Sequence, residues 1–192
     1  STTFEVQERD VLAVFVGAYY DADELLANLT VRQDDDEQFG NETTYTAAAG
    51  YHLSEDATFR ISQSTGFKAP TFNDLYFPGA NPDLEAEESA TVEVGFSGHY
   101  QYWFWDTAVF QLDVDNLIAW QPAPTPSDPF NWSPMNVNEA RIRGLELSAG
   151  FERDGWRGTS SIRSQGSFKA SRSPIRPGPV SWAWRSSCRR EG

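Results

Sequence analysis

The sequence has a single cysteine, Cys188, and only two histidines, His52 and His99. One cysteine cannot form an internal disulfide, and two histidines so far apart, with no second cysteine, make no zinc site. No apolar run reaches the roughly eighteen residues that a transmembrane helix needs. The first residues, Ser1-Thr2-Thr3-Phe4-Glu5, lack a basic stretch and an apolar stretch, so no signal peptide is expected there. Basic residues are scarce: 15 Lys and Arg stand against 28 Asp and Glu, for a formal net charge of −13. That balance argues against nucleic acid as a partner and suits a cation or a hydrated surface. None of these absences excludes a membrane, because a spanning β-strand needs only ~10 alternating residues.

What the chain does have is aromatic residues, 14% of the total, and short alternating segments. Val11 to Tyr20 is an apolar run with β-branched and aromatic bias around Gly17, which predicts a strand. Glu24 to Arg32 alternates, with Leu25, Ala27, Leu29 and Val31 on one face and Leu26, Asn28, Thr30 and Arg32 on the other. Similar alternation predicts strands over Thr43–His52, Ala57–Ser64, Ser89–Gly98, Tyr102–Trp120 and Val137–Phe151, with an eighth beginning at Trp156 and ending near Ile162. Short connections are expected at 21–23, 53–56, 99–101 and 152–155, and long ones at 33–42, 66–88 and 121–135. Short turns at one end of a sheet and long loops at the other describe an all-β, antiparallel up-and-down transmembrane barrel. Tyr19, Tyr20, Tyr100, Tyr102, Trp103, Trp105 and Trp156 cluster near the short-turn end, where an aromatic girdle belongs.

The connection from Gly66 to Glu88 stands apart. Pro70, Pro78 and Pro82 exclude a central strand or an uninterrupted helix. Phe67, Phe72, Leu75, Tyr76 and Phe77 are too many large apolar groups for a solvated linker, so a packed, functional loop is expected. Lys68, Phe72, Asn73, Tyr76, Asn81 and Asp83, with Asn131 and Trp132 of the next long loop, are candidate ligand contacts. Lys68 can pair within the loop or meet an anionic group. The asparagines can bind a large polar ligand or act as turn residues. Asp34, Asp35 and Asp36, beside Glu37 and Glu42, offer the oxygens a calcium ion takes, and equally form a self-repelling, solvated loop. Arg141 and Arg143 share one face of a strand and are expected at the rim or in the lumen, where Glu93, Asp106 or a plug would be their partners.

Eight of the 15 basic residues lie after residue 155, with Glu191 the one acid there. This break divides the chain into a barrel part, 1–162, and a basic tail, 163–192, expected to be disordered or the product of a reading-frame shift near Ser160.

Several motifs follow one another in order: Arg32-Gln33-Asp34-Asp35 with Glu37-Gln38-Phe39-Gly40; Thr65-Gly66-Phe67-Lys68-Ala69-Pro70-Thr71-Phe72-Asn73-Asp74-Leu75-Tyr76; Asn81-Pro82-Asp83-Leu84-Glu85; Asp115-Asn116-Leu117-Ile118; and Asn136-Val137 leading to Ala140-Arg141-Ile142-Arg143-Gly144-Leu145-Glu146. Together, over roughly residues 9–160, they resemble the barrel of TonB-dependent outer-membrane receptors, and among these the cobalamin (vitamin B12) receptors. The resemblance implies about eight strands of a barrel of ~22, standing as an open curved sheet. It implies the outer membrane of a Gram-negative bacterium, outer-membrane lipid as surroundings, and import of a large scarce ligand, cobalamin or an iron-siderophore. It also implies coupling to TonB through a plug domain missing from this sequence, as are the early strands that carry calcium-binding aspartates in cobalamin receptors and the barrel's last strands. No catalytic residues and no cofactor are implied, calcium in the full-length receptor aside.

Two other classes fit parts of the composition. A soluble β-sandwich, such as a carbohydrate-binding module, predicts a second sheet against the apolar face. A glycosidase predicts paired carboxylates across a cleft, with Glu87/Glu88 and Asp113/Asp115 as candidates by residue type alone.

Overall fold

The computed structural model describes residues 8–123, 130–170 and 181–190. They form one antiparallel sheet of nine strands in sequence order. The strands are β1 (Val11–Ala22), β2 (Leu25–Asp36), β3 (Gly40–Ser54), β4 (Ala57–Lys68), β5 (Glu87–Tyr100), β6 (Trp103–Pro122), β7 (Trp132–Arg153), β8 (Trp156–Ala170) and β9 (Ser181–Arg190). The sheet is open, with β1 and β9 as its edges. One short helix, α1 (Phe72–Tyr76), interrupts the pattern. The centres of the expected loop 121–135 (124–129) and of the tail (171–180), with residues 1–7 and 191–192, lie outside the described residues.

The connections explain the arrangement. At one rim every turn has two residues: Asp23-Glu24, Glu55-Asp56, Gln101-Tyr102 and Asp154-Gly155. Asp23, Gln101, Asp154 and Gly155 adopt positive φ there, as the favoured two-residue hairpin turns do, while Glu55-Asp56 follows a register shift between His52 and Ser54. The long connections lie at the other rim, as expected, with one exception. The acidic stretch 33–42 is not a loop. β2 continues through Asp36, Glu37-Gln38-Phe39 makes a tight turn, and β3 begins at Gly40. Polar residues on both faces of these strand ends carry no alternation, which hid the strands. In the same way β8 runs on to Ala170 and pairs with β9, so the sheet passes the expected end at Ile162.

Register assigns the faces. On one face lie Val16, Ala18 and Tyr20; Leu25, Leu29 and Val31; Phe59 and Ile61; Val92, Val94 and Phe96; Trp103, Trp105 and Val109; Leu145, Leu147 and Phe151. Large apolar side chains on this face are exposed from β1 to β8. Among the described residues no second sheet covers them, so the β-sandwich expectation is not met. An apolar band of this kind, floored by Tyr20, Tyr51, Tyr100, Trp103 and Trp156 near the two-residue turns, is the lipid face of a barrel wall. Tyr19 pairs opposite Asn28 and belongs to the other face.

The other face is the inner one. It carries Thr30, Thr46, Thr58, Ser62 and Thr91, with charges paired across strands. Arg60 forms two 2.8 Å hydrogen bonds to Asp106 and reaches Glu93 at 3.8 Å. Arg163 meets Glu146 at 2.8 Å. Glu93 and Asp106 thus take Arg60, not Arg141 or Arg143 as the sequence suggested. The guanidinium of Arg60 lies flat over Gly95, where a Cβ would come within 2.5 Å of its Cζ.

The sheet itself buries little. Leu75 and Leu84, 2% and 4% exposed, lie in the connection between β4 and β5, and the fully buried Pro70 and Pro134 flank it. With Ala108 of β6 the one other buried apolar side chain among the described residues, most of this small core sits under that loop.

Candidate functional site

The apical loop from Ala69 to Ala86 folds over the inner face at the long-loop rim. Its first anchor is Arg9, just before β1. The Arg9 guanidinium pairs with buried Asp36 at 3.4 Å and donates to the Pro70 carbonyl at 3.1 Å. It also lies 5.4 Å from the ring centre of Phe39 and 5.6 Å from that of Phe72. Asp36 in turn accepts the Gln38 and Phe39 amides and so closes the β2–β3 turn. Gln38 donates to the Tyr76 hydroxyl at 3.1 Å, a further tie between that turn and the loop.

Helix α1 exists because its start is capped. The Thr71 hydroxyl accepts the Asp74 amide, while the Asp74 carboxylate accepts the Thr71 amide and hydroxyl. Pro70 before it and Pro78 after it limit it to 5 residues. Asp74 also accepts the Trp120 indole N–H at 3.1 Å, tying α1 to β6. Partial burial pushes the Asp74 carboxyl up. The hydrogen bonds from Thr71 and Trp120, with the nearby charge of Lys68, outweigh burial and hold it below the usual carboxylate value.

The far end of the loop is pinned to β6 and β7. Asn136 accepts the Glu85 amide and donates to the carbonyls of Glu85 and Asn116. Buried Glu87 takes Lys68 at 3.1 Å and the Ile118 amide at 2.9 Å. Ile118, Trp120, Pro134 and Asn136 all belong to the inner face by register, so the loop bends inward over the mouth.

The structure sorts the candidate contacts. Lys68 is engaged with Glu87. Asn81 donates to the Pro134 carbonyl and accepts the Asp83 amide, and Asn131 donates to the Ala123 carbonyl. Phe72 and Tyr76 pack on each other with ring centres 6.1 Å apart. Asn73, Asp83 and Trp132 are exposed. Asp83 lines an open groove of about 510 Å³ with Gln38, Phe39, Glu42, Glu85 and Glu88. Of the aspartates considered for calcium, Asp34 is held by two hydrogen bonds from Arg32, Asp36 is buried against Arg9, and Asp35 occupies the opposite face of β2. Among the described residues no three His, Cys, Asp or Glu converge as a ligand set. Of the carboxylates considered for hydrolysis, Glu87 is engaged as above and Asp113 by Arg141 and Gln111.

Sequence reasoning missed Arg9, Gln38, Trp120 and Asn136, whose roles depend on partners distant in the chain. The Thr71-x-x-Asp74 spacing was the one local signal available, a capping pattern.

A polar-lined, apolar-backed antiparallel wall with two-residue turns at one rim and an inward-folded loop at the other is a sector of a transmembrane β-barrel. The comparisons agree with that geometry. The TonB dependent receptor-like β-barrel family matches residues 1–179, and the chain belongs to that family. A vitamin B12 transporter BtuB of Photobacterium profundum is 40% identical over 151 residues, covering 78% of this chain and 25% of the transporter. One of Vibrio vulnificus is 35% identical over 153 residues, covering 79% and 24%. The chain thus spans about a quarter of the length of these relatives. Among solved structures, the siderophore receptor PirA from Pseudomonas aeruginosa superposes with a TM-score of 0.73 at 17% identity, over 94% of this chain and 42% of that one. The copper transporter OprC also reaches 0.73, at 15% identity, over 89% and 30%. At such identities these two establish the fold alone.

Proposed function

We propose that this chain is the ligand-gathering part of the barrel of an outer-membrane receptor that imports cobalamin by TonB-dependent transport. The observation that carries the reading is the 40% identity to a protein described as a vitamin B12 transporter. A match covering 78% of the chain necessarily takes in the apical loop. The inward fold of that loop supports the same reading, since the loop carries exposed Asn73 and Asp83, and exposed Trp132 begins β7 at the same rim. Amide, carboxylate and indole groups suit a large ligand rich in hydrogen-bonding side groups and flat surfaces. Lys68, Asn81 and Asn131 act in this reading by holding the loop. The membrane and the energy-coupling partner follow from the family: outer-membrane lipid against the apolar band, and TonB acting on the parent receptor.

The test uses the parent receptor in a host lacking its own cobalamin receptor. Growth on nanomolar cyanocobalamin is expected, and a triple substitution Asn73→Ala, Asp83→Ala, Trp132→Ala is expected to lower uptake of labelled cobalamin by ~10-fold or more. Rescue by a ferric siderophore in place of cobalamin would replace the ligand and keep the receptor class.

A further inference from the structure

The apolar band on the outer face ends abruptly at Val92, Val109 and Leu145. Directly above Val109 and Leu145 on the same face stands a string of four side chains, Arg143, Gln111, Asp113 and Arg141. Arg143 donates through Nε to the Gln111 amide oxygen at 2.8 Å. The Gln111 amide nitrogen donates to Asp113 at 2.6 Å. Arg141 donates through Nε to the other oxygen of Asp113. Each guanidinium is thus held by its Nε, and among the described residues neither has a partner at its terminal Nη groups. Both arginines are exposed.

Their height is informative. Arg143 and Arg141 lie eight and ten residues before Phe151, which sits at the aromatic floor of the band. At ~3.4 Å per residue and a tilt of ~40°, they stand ~21 and ~26 Å above it, at the far edge of a band ~25 Å tall. An arginine facing lipid is costly at mid-depth and tolerated at the interface. At that level the chemistry facing a protein is the headgroup, and a planar fork of N–H donors matches phosphate oxygens.

We propose that Arg141 and Arg143, aligned by Asp113 and Gln111, form a binding site for a lipid headgroup phosphate of the outer leaflet. The site is separate from the apical loop and independent of the imported ligand. Asp113 has a positioning role: it fixes Arg141 and, through Gln111, the spacing of the pair, while leaving the Nη groups toward the lipid.

The parent receptor in nanodiscs tests this, with native mass spectrometry counting retained lipid. The probes are lipid A carrying both phosphates, the same lipid dephosphorylated, and phosphatidylcholine. The receptor is expected to retain phosphorylated lipid A ~10-fold over the dephosphorylated form. Arg141→Gln with Arg143→Gln is expected to abolish that preference, while Arg32→Gln, a charge loss on the inner face, leaves it intact. Equal retention of the two lipid A forms by the unaltered receptor overturns the proposal, and this comparison stands even if the double variant fails to fold. Preference unchanged in a folded double variant overturns it as well. Inorganic phosphate at millimolar concentration is expected not to displace the lipid; displacement would mark a site for soluble anions and overturn the headgroup assignment.

Discussion

Arg60 illustrates how single residues shape the inner wall. Its guanidinium is held flat by Asp106 and made possible by the missing side chain at Gly95. The ion pair is half exposed, so by itself it contributes little. The close approach matters more. Gly95→Val is expected to force Arg60 off Asp106 and destabilise the wall by ~1–3 kcal/mol, the usual cost of overpacking. Urea unfolding in lipid vesicles measures it, and an unchanged midpoint would show that the wall yields freely. Arg9 follows the same logic at the other end of the chain's contacts, since one guanidinium serves a buried carboxylate, a carbonyl and two rings.

At the scale of elements, α1 and the strand ends show where sequence patterns speak and where they fall silent. Strand centres were legible because lipid on one side and polar lumen on the other impose a period of two, as from Leu25 to Val31. Above the membrane both faces are wet, so Gln33 to Asp36 reads as a loop while its backbone continues the ladder. A helix of 5 residues is too short for a helical period to appear. The apical loop was recognisable as packed from its aromatics, yet its anchors were not, because Arg9, Trp120 and Asn136 act on residues tens of positions away. The capping pair yields a pH prediction. Asp74 is held below 3.8, so it stabilises the loop above that pH, and this contribution fades as pH falls through its lowered folded value. The Trp120 indole resonance in NMR is expected to shift with acid, with its midpoint below that of a free aspartate. Thr71→Ala removes the cap, weakens the helix start by ~1 kcal/mol, and moves that transition upward. An indole signal that ignores acid throughout would sever the Asp74–Trp120 link.

The whole molecule is one curved wall with two open edges and an exposed apolar face. Unpaired strand edges and such a face are unstable in water, and open edges are equally unsuited to lipid. The isolated chain is expected to aggregate in buffer and to keep its strand content in detergent. Circular dichroism across the detergent's critical micelle concentration checks this, and a monomeric folded chain below it would contradict the lipid-face assignment. The change of composition after residue 155, which we attribute to a shift of reading frame, is open to resequencing of the gene.

Every strand of the sheet pairs only with its neighbours in sequence. Most of the ladder is therefore built from hairpins, whose closure costs little entropy because the joined residues are already near. Such a wall can grow like a zip from any two-residue turn, one strand at a time. The apical clasp, Arg9 to Pro70, Trp120 to Asp74 and Asn136 to Glu85, instead joins parts of the chain that lie far apart. The clasp is then the last piece to form, and its closure reports that the wall beneath it is in register.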